Sequence, residues 1–309
     1  MRGYGDMHNE NWLAAIKVII FDMDGTLYQE DTFMERYIRY LLQGTEHEGE
    51  TEAAISAGRA ILRGEHPFQF GHFYHTQDNL VLVRQEESFI QGFTWEGSAI
   101  NERAIAYGSL SSQAPYLIHI GDPWGIAAIV RHKYKLPEGK QQSAFERVRK
   151  EMILAPNHFR LRSDVFQAIE ELTAVDKKIL MTNTYLESGM EFLHYMNIRH
   201  LFEDVFCGAE KPLGLHSYFE ILLKQGYEAH EILSIGDNPW NDLHPVKRMG
   251  GRTCFISPYP SCDPEVWDLR LKTLDELEQL MRAIQESITR RTISDGEDRA
   301  EAYKQEIQR

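Results

Sequence analysis

Cysteine is scarce in this chain. Only Cys207, Cys254 and Cys262 occur in 309 residues. An odd, small set does not build a disulfide framework, so a reducing cytoplasm is the expected setting. No apolar run approaches the ~20 residues that cross a bilayer, which argues against a membrane span. The N-terminal stretch carries Asp6 and Glu10. It lacks a basic start, a long apolar core and a cleavage site, so no signal peptide is expected. Positive charge is also short: 33 Lys and Arg stand against 47 Asp and Glu, a net charge of -14. That balance argues against a nucleic-acid partner. An anionic substrate would need a locally positive site, made by a metal and a few basic groups. No internal repeat is visible, and oligomeric state is left open.

The length suggests about two domains, and a hydrophobic fraction of 42% is ordinary for a globular protein. The chain is organised around Lys17-Val18-Ile19-Ile20-Phe21-Asp22-Met23-Asp24-Gly25-Thr26-Leu27. The apolar residues before Asp22 read as a short buried strand. In a continuing strand Asp22 and Asp24 would point to opposite sides. Gly25 lets the backbone break away and turn both carboxylates toward one mouth. Two acids held so close repel, and a divalent cation is the usual way to keep both ionised. The plain alternative is an Asp-Gly turn closing a hairpin.

Residues 1–15 read as a tail. Asp31 or Thr32 can cap a helix carrying Phe33, Tyr37, Ile38, Leu41 and Leu42, ended by Gly44. A second helix is expected over 52–62. Strands are expected at 79–83 and 116–120, with no clean period between them, and helical character returns at 144–154. From Ser163 or Asp164, a possible cap, the pattern becomes regular. Strands at 178–181, 205–207, 232–235 and 253–256 alternate with helices near 163–172, 187–196, 215–225, 242–249 and 274–286. Such alternation means a parallel sheet covered on both faces. The expected class is therefore α/β, a Rossmann-like doubly wound sheet over 16–28 and 160–286. An inserted domain, largely helical or mixed, is expected over 29–159. The charged tail at 287–309 reads as a surface helix or frayed end.

Three further motifs fall at strand ends of the regular half. Thr182 and Asn183 follow Leu180-Met181 and offer hydroxyl, amide and backbone donors to a phosphoryl group. Lys211, in Gly208-Ala209-Glu210-Lys211-Pro212, can neutralise a transferring phosphate. Ser234-Ile235-Gly236-Asp237 is followed by a further acid, Asp242. Singly these are weak, since each is also an ordinary turn or surface feature.

Together, in this order, with the Asp-x-Asp-Gly-Thr run, they resemble the haloacid dehalogenase (HAD) superfamily. The resemblance covers 16–28 and 160–270. It implies a phosphatase-like enzyme using Mg²⁺, with Asp22 as nucleophile and Asp24 as general acid/base. It implies Asp22, Asp24, Asp237 and Asp242 around the metal, Asp237 as a direct ligand and Asp242 acting through water. It also implies that Gly25, Thr182, Asn183 and Lys211 hold the phosphate, with Thr182 and Lys211 counted in the catalytic set. The insert lies where the family places C1-type caps; those are usually helical bundles, and the two strands depart from that pattern. The implied substrate is a small phosphorylated metabolite. A haloalkanoate dehalogenase has no need of Asp24. A phosphomutase, another phosphotransferase or a non-catalytic regulatory protein remains as an alternative.

Three features carry competing readings. Gly121-Asp122-Pro123-Trp124 mimics the fourth motif but reads as a turn in the insert. His66, His72 and His75 lack a complete zinc ligand set. Arg131-His132-Lys133-Tyr134-Lys135 is a basic cluster. It reads as a solvated face, or as a group facing the strand ends and holding a second anion of the substrate.

Overall fold

A computed structural model describes residues 11–85, 88–100, 116–264 and 267–307, with side chains between 12 and 294. Val18–Phe21 (β1) sits in the middle of a six-stranded sheet. All four of its residues are buried, which is why the strand reads as an unbroken apolar run rather than an alternation. Lys177–Thr182 (β6) pairs with one side of it and Ile232–Gly236 (β8) with the other, both parallel. Asp204–Cys207 (β7) extends the sheet beyond β6. Arg252–Ile256 (β9) and Leu269–Leu271 (β10) extend it beyond β8. The order is β10-β9-β8-β1-β6-β7, and every pair is parallel. Its helices are Ser163–Glu171 (α5), Leu186–Met196 (α6), Leu213–Lys224 (α7), His244–Arg248 (α8) and Leu274–Ile307 (α9). Ile19 and Phe21 pack into one apolar cluster and Val18 and Ile20 into another, so both faces of β1 are covered. This is the expected α/β class.

The segment between β1 and β6 is mixed. Phe33–Leu42 (α1), Thr51–Leu62 (α2), Pro123–Lys133 (α3) and Glu138–Met152 (α4) are helices. Phe73–His75 (β2), Leu80–Gln85 (β3), Ser88–Thr94 (β4) and Leu117–His119 (β5) form an antiparallel sheet ordered β4-β3-β2-β5. The strands expected at 79–83 and 116–120 are β3 and β5; β2 and β4 add two more. The turn expected at Asp122 is instead the start of α3. Asp122 caps it by accepting from the Gly125 N–H at 2.8 Å, with Pro123 in the first turn. Two other caps differ from expectation. Thr32 precedes α1 without a side-chain capping bond, and Arg162, not Ser163 or Asp164, precedes α5. Among the described residues, no helix is long and apolar enough to cross a membrane.

Candidate active site

The carboxyl ends of β1, β6, β7 and β8 all point the same way, because the sheet is parallel. Asp22, Thr182 and Asp237 therefore meet at one edge, where ligands bind in open α/β sheets. Gly25 makes the break after β1. Its φ is +77°, and a Cβ there would stand 1.9 Å from Asp237 Oδ2. Only glycine fits both the backbone and the space. Asp242 arrives on a π-helical turn, Pro239–Leu243, capped by Asn238. Its Oδ2 accepts from the Asn238 N–H at 3.0 Å, and its carbonyl accepts from Ser234 Oγ at 2.7 Å.

Asp22, Asp237 and Asp242 are buried and each bring a carboxylate oxygen within 4.8 Å of the others. Lys211 Nζ donates to Asp22 Oδ1 and to Asp242 Oδ1, each at 2.6 Å. One ammonium faces three carboxylates. Burial pushes Asp22 up to about 8, against the pull of Lys211 and with the charges of Asp242 and Asp24 adding to it. Burial, with Asp122, Asp22 and Asp242 nearby, pushes Asp237 well up as well. Burial works against the charge of Lys211, but Asp22 and Asp242 outweigh it and raise it. The cluster lacks positive charge, and that deficit fits a bound divalent cation.

The Asp24 carboxylate belongs to a different set from the three acids grouped around Lys211. Its carboxylate accepts from Arg149 Nη1 and from the Tyr28 hydroxyl. It also accepts from Thr184 Oγ1 at 2.8 Å and Thr182 Oγ1 at 3.4 Å. Burial would raise it, but Arg149 and these hydroxyls win and hold it below the usual carboxylate range. Arg149 lies on α4 and is only 1% exposed. Its Nε donates to Ser188 Oγ at 2.9 Å, and its guanidinium sits 3.4 Å from the centre of the Phe192 ring. Arg149, Tyr28 and Thr184 were not foreseen. Asn183 also differs from expectation. Its amide donates to the Lys211 carbonyl at 3.1 Å and accepts from the Lys211 N–H at 2.7 Å. Its side chain holds the lysine loop rather than standing free for a phosphoryl oxygen.

A cavity of about 410 Å³ opens over this edge, walled by the sheet ends and by β5, α3 and α4. Asp122 lines it, so the segment read as a stray turn is part of the wall. Asn238 Nδ2 donates to Asp122 Oδ2 at 2.7 Å, and Asn238 Oδ1 lies 3.2 Å from His119 Nδ1. His119 Nε2 is 3.0 Å from Asp263 Oδ1. Gly121 packs so tightly here that a Cβ would come within 2.5 Å of the Asn238 side chain. Asn238 thus clasps the insert against the loop that carries Asp237.

The basic cluster does not line this cavity, although the charge of Arg131 acts on Tyr37, which does. It closes the far end of α3, whose 11 residues span about 16 Å at the usual rise. Arg131 Nε donates to the Leu136 carbonyl, and Lys133 Nζ lies 4.5 Å from the centre of the Trp95 ring. Nδ1 of His66, His72 and His75 accepts backbone N–H groups.

A parallel sheet with an inserted domain and an Asp-Lys-Asp cluster at its carboxyl edge defines a HAD-type hydrolase. The chain belongs to the haloacid dehalogenase-like hydrolase family, whose model matches residues 16–250. No curated protein matches it. Among solved structures, a HAD-hydrolase of Bacillus subtilis bound to magnesium is 14% identical, with a TM-score of 0.47 over 86% of this chain and 98% of that one. A haloacid dehalogenase-like hydrolase of Xanthomonas campestris is 15% identical, with a TM-score of 0.45 over 90% and 95%. A protein of Clostridium difficile described as a phosphatase is 11% identical, with a TM-score of 0.46 over 86% and 98%.

Proposed function

We propose that this hydrolase is a Mg²⁺-dependent phosphatase that cleaves a small phosphate monoester through an aspartyl-phosphate on Asp22. The observation that carries the reading is the buried cluster itself: Asp22 bonded to Lys211, with Asp237 and Asp242 beside it and a second acid, Asp24, two residues on. Asp22, Asp237 and Asp242 would hold the cation. When bound, Mg²⁺ offsets the repulsion between the carboxylates and the incoming phosphate.

The residues then divide the work. Asp22 attacks phosphorus with a carboxylate oxygen. Lys211 donates to the Asp22 carboxylate and faces the transferring group. Thr182 lies at the end of β6, where its backbone can meet an equatorial oxygen. Asp24 takes a proton from the water that hydrolyses the intermediate, and its pairing with Arg149 keeps it ionised for that step. The proton taken from that water is the one it gives to the departing oxygen in the first step of the next turnover, for which it must part from Arg149. The insert, clasped through Asn238, keeps bulk water from the cavity. A dehalogenase reading is disfavoured by the network of Arg149, Tyr28, Thr182 and Thr184 around Asp24, an acid that chemistry does not use.

The test is steady release of inorganic phosphate from p-nitrophenyl phosphate and a panel of monoesters with Mg²⁺. Chelation by EDTA should stop turnover and Mg²⁺ restore it. Transfer of the phosphoryl group without its release would indicate a mutase. Full activity in metal-free buffer, or no turnover of any ester, would refute the proposal.

A further inference from the structure

The cavity's outer wall has a chemistry of its own. Four rings, Tyr37, Trp124, Phe145 and Tyr185, form a continuous surface. Trp124 and Phe145 are 5.4 Å apart, Tyr37 and Trp124 5.9 Å, and Phe145 and Tyr185 5.8 Å. Tyr37 is buried, whereas Tyr185 is 65% exposed, so the surface runs from the interior to the mouth. Helix α4 adds Glu138, Gln141 and Phe145, spaced three and four residues apart and so on one face. Glu138 stands in its first turn, exposed at the mouth.

The same wall offers almost nothing to a second anion. Among the described residues that line the cavity, the basic side chains are Lys211 and His119. Lys211 is held by Asp22 and Asp242, and both ring nitrogens of His119 are engaged by Asn238 and Asp263. Arg149 lies over the Trp124 and Phe145 rings, 5.4 and 5.9 Å from their centres, but its charge is paired with Asp24. The cluster Arg131, Lys133 and Lys135 stands at the other end of α3. Phe33 stacks on Trp124, which leaves the exposed ring of Tyr185 and the Glu138 carboxylate to attract a cation at the mouth, through the ring quadrupole and through charge. They repel a carboxylate or second phosphate, which would also lose its hydration there.

We propose that this wall selects a phosphate monoester of an organic cation, an amino alcohol or its methylated form, and rejects esters carrying a second anion. Glu138 is the specificity-determining carboxylate. The proposal rests on the phosphatase reading above and adds the charge of the leaving group to it.

The experiment compares three two-carbon esters with the intact protein and Mg²⁺: ethanolamine phosphate, ethylene glycol monophosphate and phosphorylated glycolate. Each has two carbons, and they end in a cation, a neutral hydroxyl or an anion. The expected order of kcat/KM is cation, then neutral, then anion, with at least about a tenfold span between the ends. Glu138→Gln should bring the ratio of the first two close to one, mainly through KM for ethanolamine phosphate. Equal rates for all three, or preference for phosphorylated glycolate, would overturn the inference while leaving the phosphatase reading intact. A charge preference unchanged in Glu138→Gln would overturn the assignment of Glu138. No turnover of these esters or of p-nitrophenyl phosphate would remove the parent reading and this one with it.

Discussion

Arg149→Met tests how the insert is joined to the catalytic edge. Methionine keeps much of the length and apolar body of arginine but removes its charge. In the native arrangement the Arg149 guanidinium meets Asp24, the Tyr28 hydroxyl at 3.0 Å and Ser188, and its face lies over Phe192. Asp24 is itself 12% exposed at its side chain. Removing the arginine leaves a buried carboxylate with its hydroxyl donors but no counter-charge, and breaking such a pair costs about 3–5 kcal/mol. Asp24→Asn alone should also destabilise, because it strands the arginine. The double variant removes both charges and should recover a large part of the combined loss. The interaction energy should therefore be on the order of 2–3 kcal/mol. Urea unfolding, followed by circular dichroism and tryptophan fluorescence, would measure it. An Arg149→Met variant as stable as the wild type would refute the reasoning. So would single losses that simply add in the double variant.

Gly25→Ala should abolish turnover and destabilise the fold by roughly 2 kcal/mol or more, because it strains the left-handed backbone and drives a methyl into Asp237; thermal melts and a phosphatase assay would check both. Asn238→Ala strips partners from Asp122 and His119, and should cost about 1–3 kcal/mol and loosen the insert, read as faster hydrogen exchange in α3. His72 is buried and its Nδ1 accepts the Gln69 N–H, so burial lowers it to about 4 from an ordinary 6.5. Its folded pKa lies below its unfolded one, so the stability it brings is present above pH 6.5 and lost as pH falls toward 4. That contribution is roughly 3 kcal/mol, and His72→Gln should flatten this part of the stability profile; an unchanged profile would contradict the assignment.

What the sequence made legible follows from burial. β1, β6, β8 and β9 lie inside a parallel sheet and read as apolar runs, so their carboxyl ends and Asp22, Thr182 and Asp237 could be placed in order. β10 is only Leu269-Arg270-Leu271, too short to carry a period. β2 and β4 were missed because Phe73-Tyr74-His75 and Ser88–Thr94 do not alternate cleanly. α3 was misread although its signal was present: an aspartate followed by proline is a helix start as well as a turn. Arg149 was hidden by its neighbours. Glu146, Arg147, Arg149 and Lys150 look alike in the sequence, and only Arg149 among them is buried, on the side of α4 that carries Val148 and Met152. Its partner Asp24 lies 125 residues away, beyond the reach of any local pattern.

The central claim is a phosphoryl group carried by Asp22. Acid quenching of the protein during turnover of a phosphate ester with Mg²⁺, followed by peptide mass spectrometry, reads it directly. The account predicts a peptide containing Asp22 heavier by one phosphoryl group. The label should disappear on treatment with hydroxylamine and be absent from Asp22→Asn. Turnover without any label on Asp22, or a label on another residue, would contradict it.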